Sequence, residues 1–168
     1  HEGSRLLRAS LPPTVRINTC DATETVMVLA DHTHLHQIVM NLARNAAEAI
    51  GAEDGSINVA AMHVTGTPDG LAARPDGWVC LTISDNGPGM SSETRARLFD
   101  PFFTTKPMGK GSGLGLVVVS GLVEEMGGRI EVDSAPGEGA QFSIFLPSTN
   151  LPEAEGVLAD KSSIPRGR

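Results

Sequence analysis

What the chain has little of narrows it first. Its 168 residues include only 2 cysteines, Cys20 and Cys80, far apart and without the spacing of a metal-binding pair. Both fall in segments that read as strands, so buried free thiols in a reducing compartment are expected in preference to a disulfide. Positive charge is scarce: 13 Lys and Arg against 20 Asp and Glu leave a formal net charge of −7. That argues against binding a nucleic-acid backbone, which needs a basic surface. Long hydrophobic runs are missing too, and the longest, Leu114–Val119, is far too short to span a bilayer. No leader peptide is read at the start. The expectation is a cytoplasmic domain belonging to something longer, with no membrane contact of its own. A hydrophobic content of 40% and a charged content of 20% fit one soluble domain with a real core.

What is present is organised around the stretch from Asp31 to Ile50. At a helical period of about 100° per residue it separates into two faces. Leu35, Ile38, Leu42, Ala46 and Ala49 form the apolar one; Gln37, Asn41, Arg44, Asn45 and Glu48 form the polar one. Asn is a poor helix former, because its side chain competes with the backbone for hydrogen bonds. Two asparagines on one face of a well-patterned helix are either an ordinary polar face or a site. An Asn carbonyl oxygen can ligate a hard cation. Asp31 is placed to cap the helix and Gly51 to stop it in the left-handed region.

Around this helix the pattern predicts strands at 14–20, 26–30, 56–62, 78–84, 129–133 and 140–146. A turn is read at Asp21–Thr23, and Ser91 should cap a short helix ending at Leu98. An apolar helix should run to Met126. Thr67-Pro-Asp-Gly70 and Arg74-Pro-Asp-Gly77 repeat a turn signature inside a long polar hairpin, to which no chemistry is assigned. Locally pairing strands with helices on one side imply an α+β fold, a two-layer sandwich. Residues 1–10 read as the end of a preceding helix or linker, 11–147 as the domain, and 148–168 as a linker or disordered tail.

Two glycine-rich segments sit at ends of elements. Gly111-Ser-Gly113-Leu-Gly115 leads into the apolar helix. Bare backbone N–H groups at a helix start suit phosphate, although a flexible loop has the same composition. Neither the P-loop nor the dinucleotide pattern fits. Asp85 closes a strand and precedes Gly87 and Gly89. It is either a turn former or a carboxylate that accepts a base amino group, with the glycines making room for the ring.

The ordered set Asn41-x3-Asn45, Asp85-x-Gly87-x-Gly89, Phe99-x-x-Phe102-Phe103 and Gly111-x-Gly113-x-Gly115 resembles the ATP-binding catalytic domain of sensor histidine kinases, with its N, G1, F and G2 boxes. The resemblance covers about residues 11–147. Phe102-Phe-Thr-Thr-Lys106 and Gly128-Arg-Ile-Glu-Val-Asp-Ser-Ala-Pro-Gly137 look most like the nitrogen-sensor branch. It implies the Bergerat fold: a mixed, mostly antiparallel sheet with helices on one face.

It also implies Mg-ATP binding, with Asn45 on Mg²⁺ and Asn41 supporting the phosphates. Asp85 would hold the adenine amino group, lined by Gly87, Gly89 and Met90. Residues 91–110 would form a mobile lid, anchored by Phe102 and Phe103 to the core or to partner helices. Gly111, Ser112, Gly113, Leu114 and Gly115 would hold the phosphates. Related ATPases and serine kinases carry a Glu as general base four residues before the metal-binding Asn. Here that position is Asn41, which cannot take a proton, so phosphoryl transfer to histidine is implied over hydrolysis. An ATPase of this superfamily and a nucleotide-sensing module without transfer are the alternatives.

Several positions differ from the family pattern. Thr104 stands where many members have Arg, so Lys106 or Lys110 would supply the charge. Glu48 replaces a phosphate-directed Lys and would hold Mg²⁺-bound water. Ala140 replaces a hydroxyl found in a related branch. His32, His34 and His36 alternate on a helix, where neighbours two apart point away from each other, and are read as polar helix-start residues. His1 lies too near the strands to be a phosphoacceptor. The accepting histidine, on a helical dimerisation domain, is therefore expected outside this chain, with a response-regulator receiver downstream and the isolated domain monomeric.

Overall fold

The computed structural model describes residues 7–20, 26–107, 109 and 111–149. They build a 5-stranded sheet from β1 (Val15–Thr19), β2 (Gly55–Val64), β3 (Trp78–Asp85), β4 (Arg129–Ser134) and β5 (Ala140–Pro147), in the order β1-β2-β3-β5-β4. β1 and β2 run parallel, with Val15 opposite Gly55; every other neighbouring pair is antiparallel. A parallel pair cannot be closed by a tight turn and needs a crossover. Here the crossover carries α1 (His32–Ile50), the asparagine helix. Two more helices follow β3, the short α2 (Ser92–Arg97) and the apolar α3 (Gly115–Glu125).

Side-chain alternation divides the sheet into two faces. Ile57, Ile83, Phe142, Ile144 and Leu146 point to the helices and are buried against Ile38, Leu42, Ala46 and Ile50 of α1 and Val119 and Val123 of α3. This is the α+β, two-layer arrangement expected. A smaller cluster of Leu7, Ile17 and Ala43 joins the helical residues 7–10 to β1 and the far side of α1. On the opposite sheet face, the polar hairpin at 65–77 folds over Trp78. The Trp78 indole donates to the Ala72 carbonyl at 3.1 Å, Arg74 lies 5.6 Å from the ring centroid, and Arg129 donates to the Asp69 carbonyl at 2.6 Å.

α1 starts as expected. The Asp31 carboxylate accepts the Thr33 and His34 amides at 2.7 and 3.3 Å, and those bonds hold its pKa below the usual carboxylate range.

Four expectations are corrected. Residues 26–30 are no strand: only Val28 forms a bridge, to Ser148, and Leu29 is 75% exposed. Its pairing is confined to residues 148 and 149 just past β5, where the Met27 carbonyl accepts the Thr149 amide at 3.1 Å, and Val28 packs against the core. Cys20 lies just past β1 and is exposed, whereas Cys80 is buried in β3. Gly51 ends α1 with φ 73° but ψ −132°, outside the left-handed helical well and in a region open mainly to glycine. α2 and α3 stop at Arg97 and Glu125, each one residue early. The Asp21–Thr23 turn, residues 1–6 and residues 150–168 lie outside the described residues.

Candidate functional site

β3 delivers Asp85 to the helix side of the sheet, at the end where the chain turns toward the helices. Its carboxylate is half-buried and accepts the Gly87 amide at 2.8 Å, with the Ala140 amide as a second donor. Burial raises its pKa above the usual range, and the two amides oppose that shift. Asn86 ties the turn down by accepting the Ser56 amide at 2.8 Å.

The glycines here answer to contact, not only to turn geometry. A Cβ at Gly87 would meet the Asp85 carboxylate at 2.9 Å. Gly89, at φ 69°, lies so close to the Ala135 carbonyl that no side chain fits. Met90 is fixed by its amide, which donates to the Ser134 hydroxyl at 2.9 Å, and that hydroxyl donates in turn to the Gly139 carbonyl at 2.7 Å.

α1 turns Asn41, Arg44, Asn45 and Glu48 toward the same space. Arg44 donates to the Asn41 carbonyl oxygen at 3.0 Å, which orients that amide. Among the described residues the Asn45 side chain has no hydrogen-bond partner, so its carbonyl oxygen is available. Glu48 forms an ion pair with Lys106, from the segment after α2.

That segment closes the third side. Ser91 caps α2 by accepting the Thr94 amide at 3.2 Å, and Arg95 donates to the Ser134 carbonyl at 3.2 Å. Arg97 lies 4.4 Å above the Phe103 ring, which turns into the site. Phe102 points out, 73% exposed, and its φ of 65° is strained for a bulky residue. Its amide donates to the Gly113 carbonyl at 3.2 Å, linking this strained turn to the glycine loop.

Together these walls enclose a cavity of about 610 Å³, within the range of small-molecule sites. Asn41, Asn45, Glu48, Asp85, Gly89, Met90, Phe103, Lys106, Gly111, Ser112, Gly113 and Gly115 all line it. Gly87 stands behind Asp85 and holds its carboxylate. Leu114 lies outside the cavity at the start of α3, 37% exposed. Lys110 lies outside the described residues.

Sequence reasoning overlooked Arg44, Thr94, Leu98 and Thr104, which also line the cavity, and Ser134, which does not touch it. For Arg44 a signal existed, because it lies on the polar face with the asparagines. For Ser134 none did, since its role depends on a loop from elsewhere in the chain. His32 and His36 stack with ring centroids 6.3 Å apart. Among the described residues no group of three or more His, Cys, Asp or Glu side chains is placed to hold a metal, and no helix is long and apolar enough to cross a membrane.

Residues 30–150 match the family model described as histidine kinase-, DNA gyrase B- and HSP90-like ATPase. The chain belongs to that family. Its sequence is 42% identical over 120 residues to the sensor histidine kinase ZraS of Klebsiella oxytoca, covering 71% of this chain and 23% of that protein. It is 40% identical over 134 residues to the two-component sensor PprA of Pseudomonas aeruginosa, covering 80% of this chain and 14% of that one. Among solved structures it resembles the mycobacterial sensor histidine kinase MprB, with TM-score 0.71, 26% identity and coverage of 89% of this chain and 93% of that one. It also resembles full-length ShkA in complex with AMPPNP, with TM-score 0.70, 30% identity and coverage of 89% and 29%.

Within the family, then, the fold and sequence are those of the ATP-binding catalytic domain of a sensor histidine kinase. The chain spans less than a quarter of the length of these curated relatives.

Proposed function

We propose that the cavity holds Mg-ATP and that the γ-phosphoryl group passes to a histidine on a helical dimerisation domain outside this chain. The observation that carries this reading is the shared cavity. A half-buried carboxylate (Asp85), a hard oxygen donor (Asn45) and a glycine loop at a helix start (Gly111–Gly115) all face one space of about 610 Å³. The donor set fits the group. Mg²⁺ takes oxygen ligands, keeps several waters and leans on substrate phosphates, so one Asn oxygen is enough protein ligation. When bound, it would neutralise charge between the phosphates.

The chain's own residues do the rest by positioning and electrostatics. Asp85 accepts the adenine amino group in the narrow space left by Gly87, Gly89 and Met90. Asn41, its oxygen held by Arg44, offers its N–H groups to phosphate. Lys106 and Lys110 add positive charge. No carboxylate occupies position 41 to activate water, which favours a ready imidazole nucleophile over hydrolysis. Residues 91–110 act as the lid and 11–147 as the domain. A cytoplasmic setting, a downstream receiver domain and a monomeric isolated domain complete the proposal.

Calorimetry with ATP, with and without Mg²⁺, tests the site. Binding should depend on Mg²⁺, and Asn45→Ala should abolish that dependence. Adding the parent's helical domain in trans should yield phosphohistidine. Rapid ATP hydrolysis by the domain alone, or binding with no phosphohistidine, would overturn the transfer step.

A further inference from the structure

The Glu48–Lys106 ion pair joins groups 58 residues apart, one near the end of α1 and one in the segment after α2. Lys106 is held on three sides. Its backbone amide donates to the Thr104 hydroxyl at 3.1 Å. Its side-chain stem lies where a Cβ at Gly111 would come within 3.0 Å, so the first glycine of the loop leaves room for it. Its ammonium rests on Glu48. Both side chains are partly exposed, at 34% for Lys106 and 42% for Glu48.

Charge in the cavity makes this pairing consequential. The described cations lining it are Arg44, bonded to Asn41, and Lys106, bonded to Glu48. A polyphosphate entering the cavity attracts Lys106 and repels Glu48. The pair therefore cannot stay indifferent to the ligand.

We propose that Glu48 is a positioning residue: it holds Lys106, and with it residues 104–107, across the cavity before nucleotide arrives, then releases it to the phosphates. This rests on the Mg-ATP reading above. Released, the Glu48 carboxylate faces polyphosphate and is tolerated only when a divalent cation offsets the charge. Glu48 thus biases the site toward metal-loaded over metal-free nucleotide.

Two measurements test this on the protein without and with ligand. Hydrogen exchange of the nucleotide-free protein should be faster at residues 99–107 in both Glu48→Gln and Lys106→Gln. The double variant should do no more than either single one, because both break the same contact. Calorimetry with ATP in excess chelator should show tighter binding by Glu48→Gln, by about two- to five-fold, in line with a partly exposed pair. With Mg²⁺ present the gain should shrink, and Glu48→Asp should restore wild-type selectivity in part.

Unchanged exchange in both single variants would overturn the latch. Weaker binding by Glu48→Gln with and without metal would overturn the selectivity and make Glu48 a direct ligand contact. If the wild-type protein binds no ATP in either condition, the Mg-ATP reading itself fails. Wild-type binding with unaltered variants defeats only the latch.

Discussion

The Met90 amide donates to the Ser134 hydroxyl at 2.9 Å, tying the loop after β3 to the last residue of β4. The same hydroxyl donates to the Gly139 carbonyl, so one buried side chain holds two turns that flank the Asp85 end of the cavity. Removing it leaves a backbone donor and an acceptor unsatisfied. Ser134→Ala should cost about 1–3 kcal/mol of stability, read as a lower denaturation midpoint at unchanged slope. Nucleotide affinity should fall as well, since Met90 loses its fixed place. An unchanged midpoint would mean that other contacts hold this loop.

Asp85 joins function to an electrostatic cost. Its folded-state pKa is raised above 3.8, chiefly by burial. An acid shifted this way contributes stability that is fully present below its unfolded pKa and is lost as pH rises through the folded pKa. Asp85→Asn removes that loss. The stability of Asp85→Asn relative to wild type should therefore increase from about pH 4 upward to a plateau above the folded pKa. Asp31, shifted in the opposite direction, is common to both proteins and cancels in the difference. Adenine binding should weaken by about 1.5–3 kcal/mol, roughly ten- to 150-fold, through loss of a charge-assisted hydrogen bond. A stability difference that does not grow as pH rises through this range, or a variant that binds ATP normally, would contradict the assignment.

The hairpin over the outer sheet face offers an independent optical test. Trp78 is the single tryptophan and is 2% exposed, covered in part by Arg74. Arg74→Ala should shift its emission to longer wavelength and raise acrylamide quenching. The lost cation–π contact is worth about 0.5–1 kcal/mol. Nucleotide binding, on the other face of the sheet, should not change. Unaltered quenching would show that the hairpin does not depend on this contact.

Local rules carried much of the architecture. The Asp31 cap, the two faces of α1, the alternation of β5 and the Asp85 turn each depend on a few neighbouring residues, and each was legible. The 26–30 segment was misread because its partner, residues 148 and 149 just past β5, is long enough for one bridge and not for a ladder, and composition does not show the length of the partner. Cys20 was misplaced because it follows β1 in the parity of the exposed Arg16 and Asn18, not of the buried Val15 and Ile17. The Glu48–Lys106 pair, the Ser134 clamp and the Arg95 bond to the Ser134 carbonyl connect distant parts of the chain, so no local pattern encodes them. Most residues named from the motifs line one cavity, because the motifs fall at element ends that the fold brings together. The contacts that hold the cavity walls against each other carry no such motif.

Two glycines separate ligand chemistry from helix propensity. Gly113 sits at φ 64° with its missing Cβ directed into the Phe102 backbone. Gly113→Ala forces an L residue into a strained region and pushes the glycine loop away from the Phe102 turn. It should destabilise the fold and sharply reduce nucleotide affinity. Gly121 lies inside α3 with open space around its missing Cβ. Gly121→Ala removes backbone freedom from the unfolded chain and introduces no clash, so it should stabilise the protein by about 0.5–1 kcal/mol. Its nucleotide affinity should stay at the wild-type value. Thermal unfolding and calorimetry on both variants decide the matter. Equal effects would mean that the loop glycines serve only flexibility, whereas opposite effects on stability would tie Gly113 to the close approach of the glycine loop and the Phe102 turn.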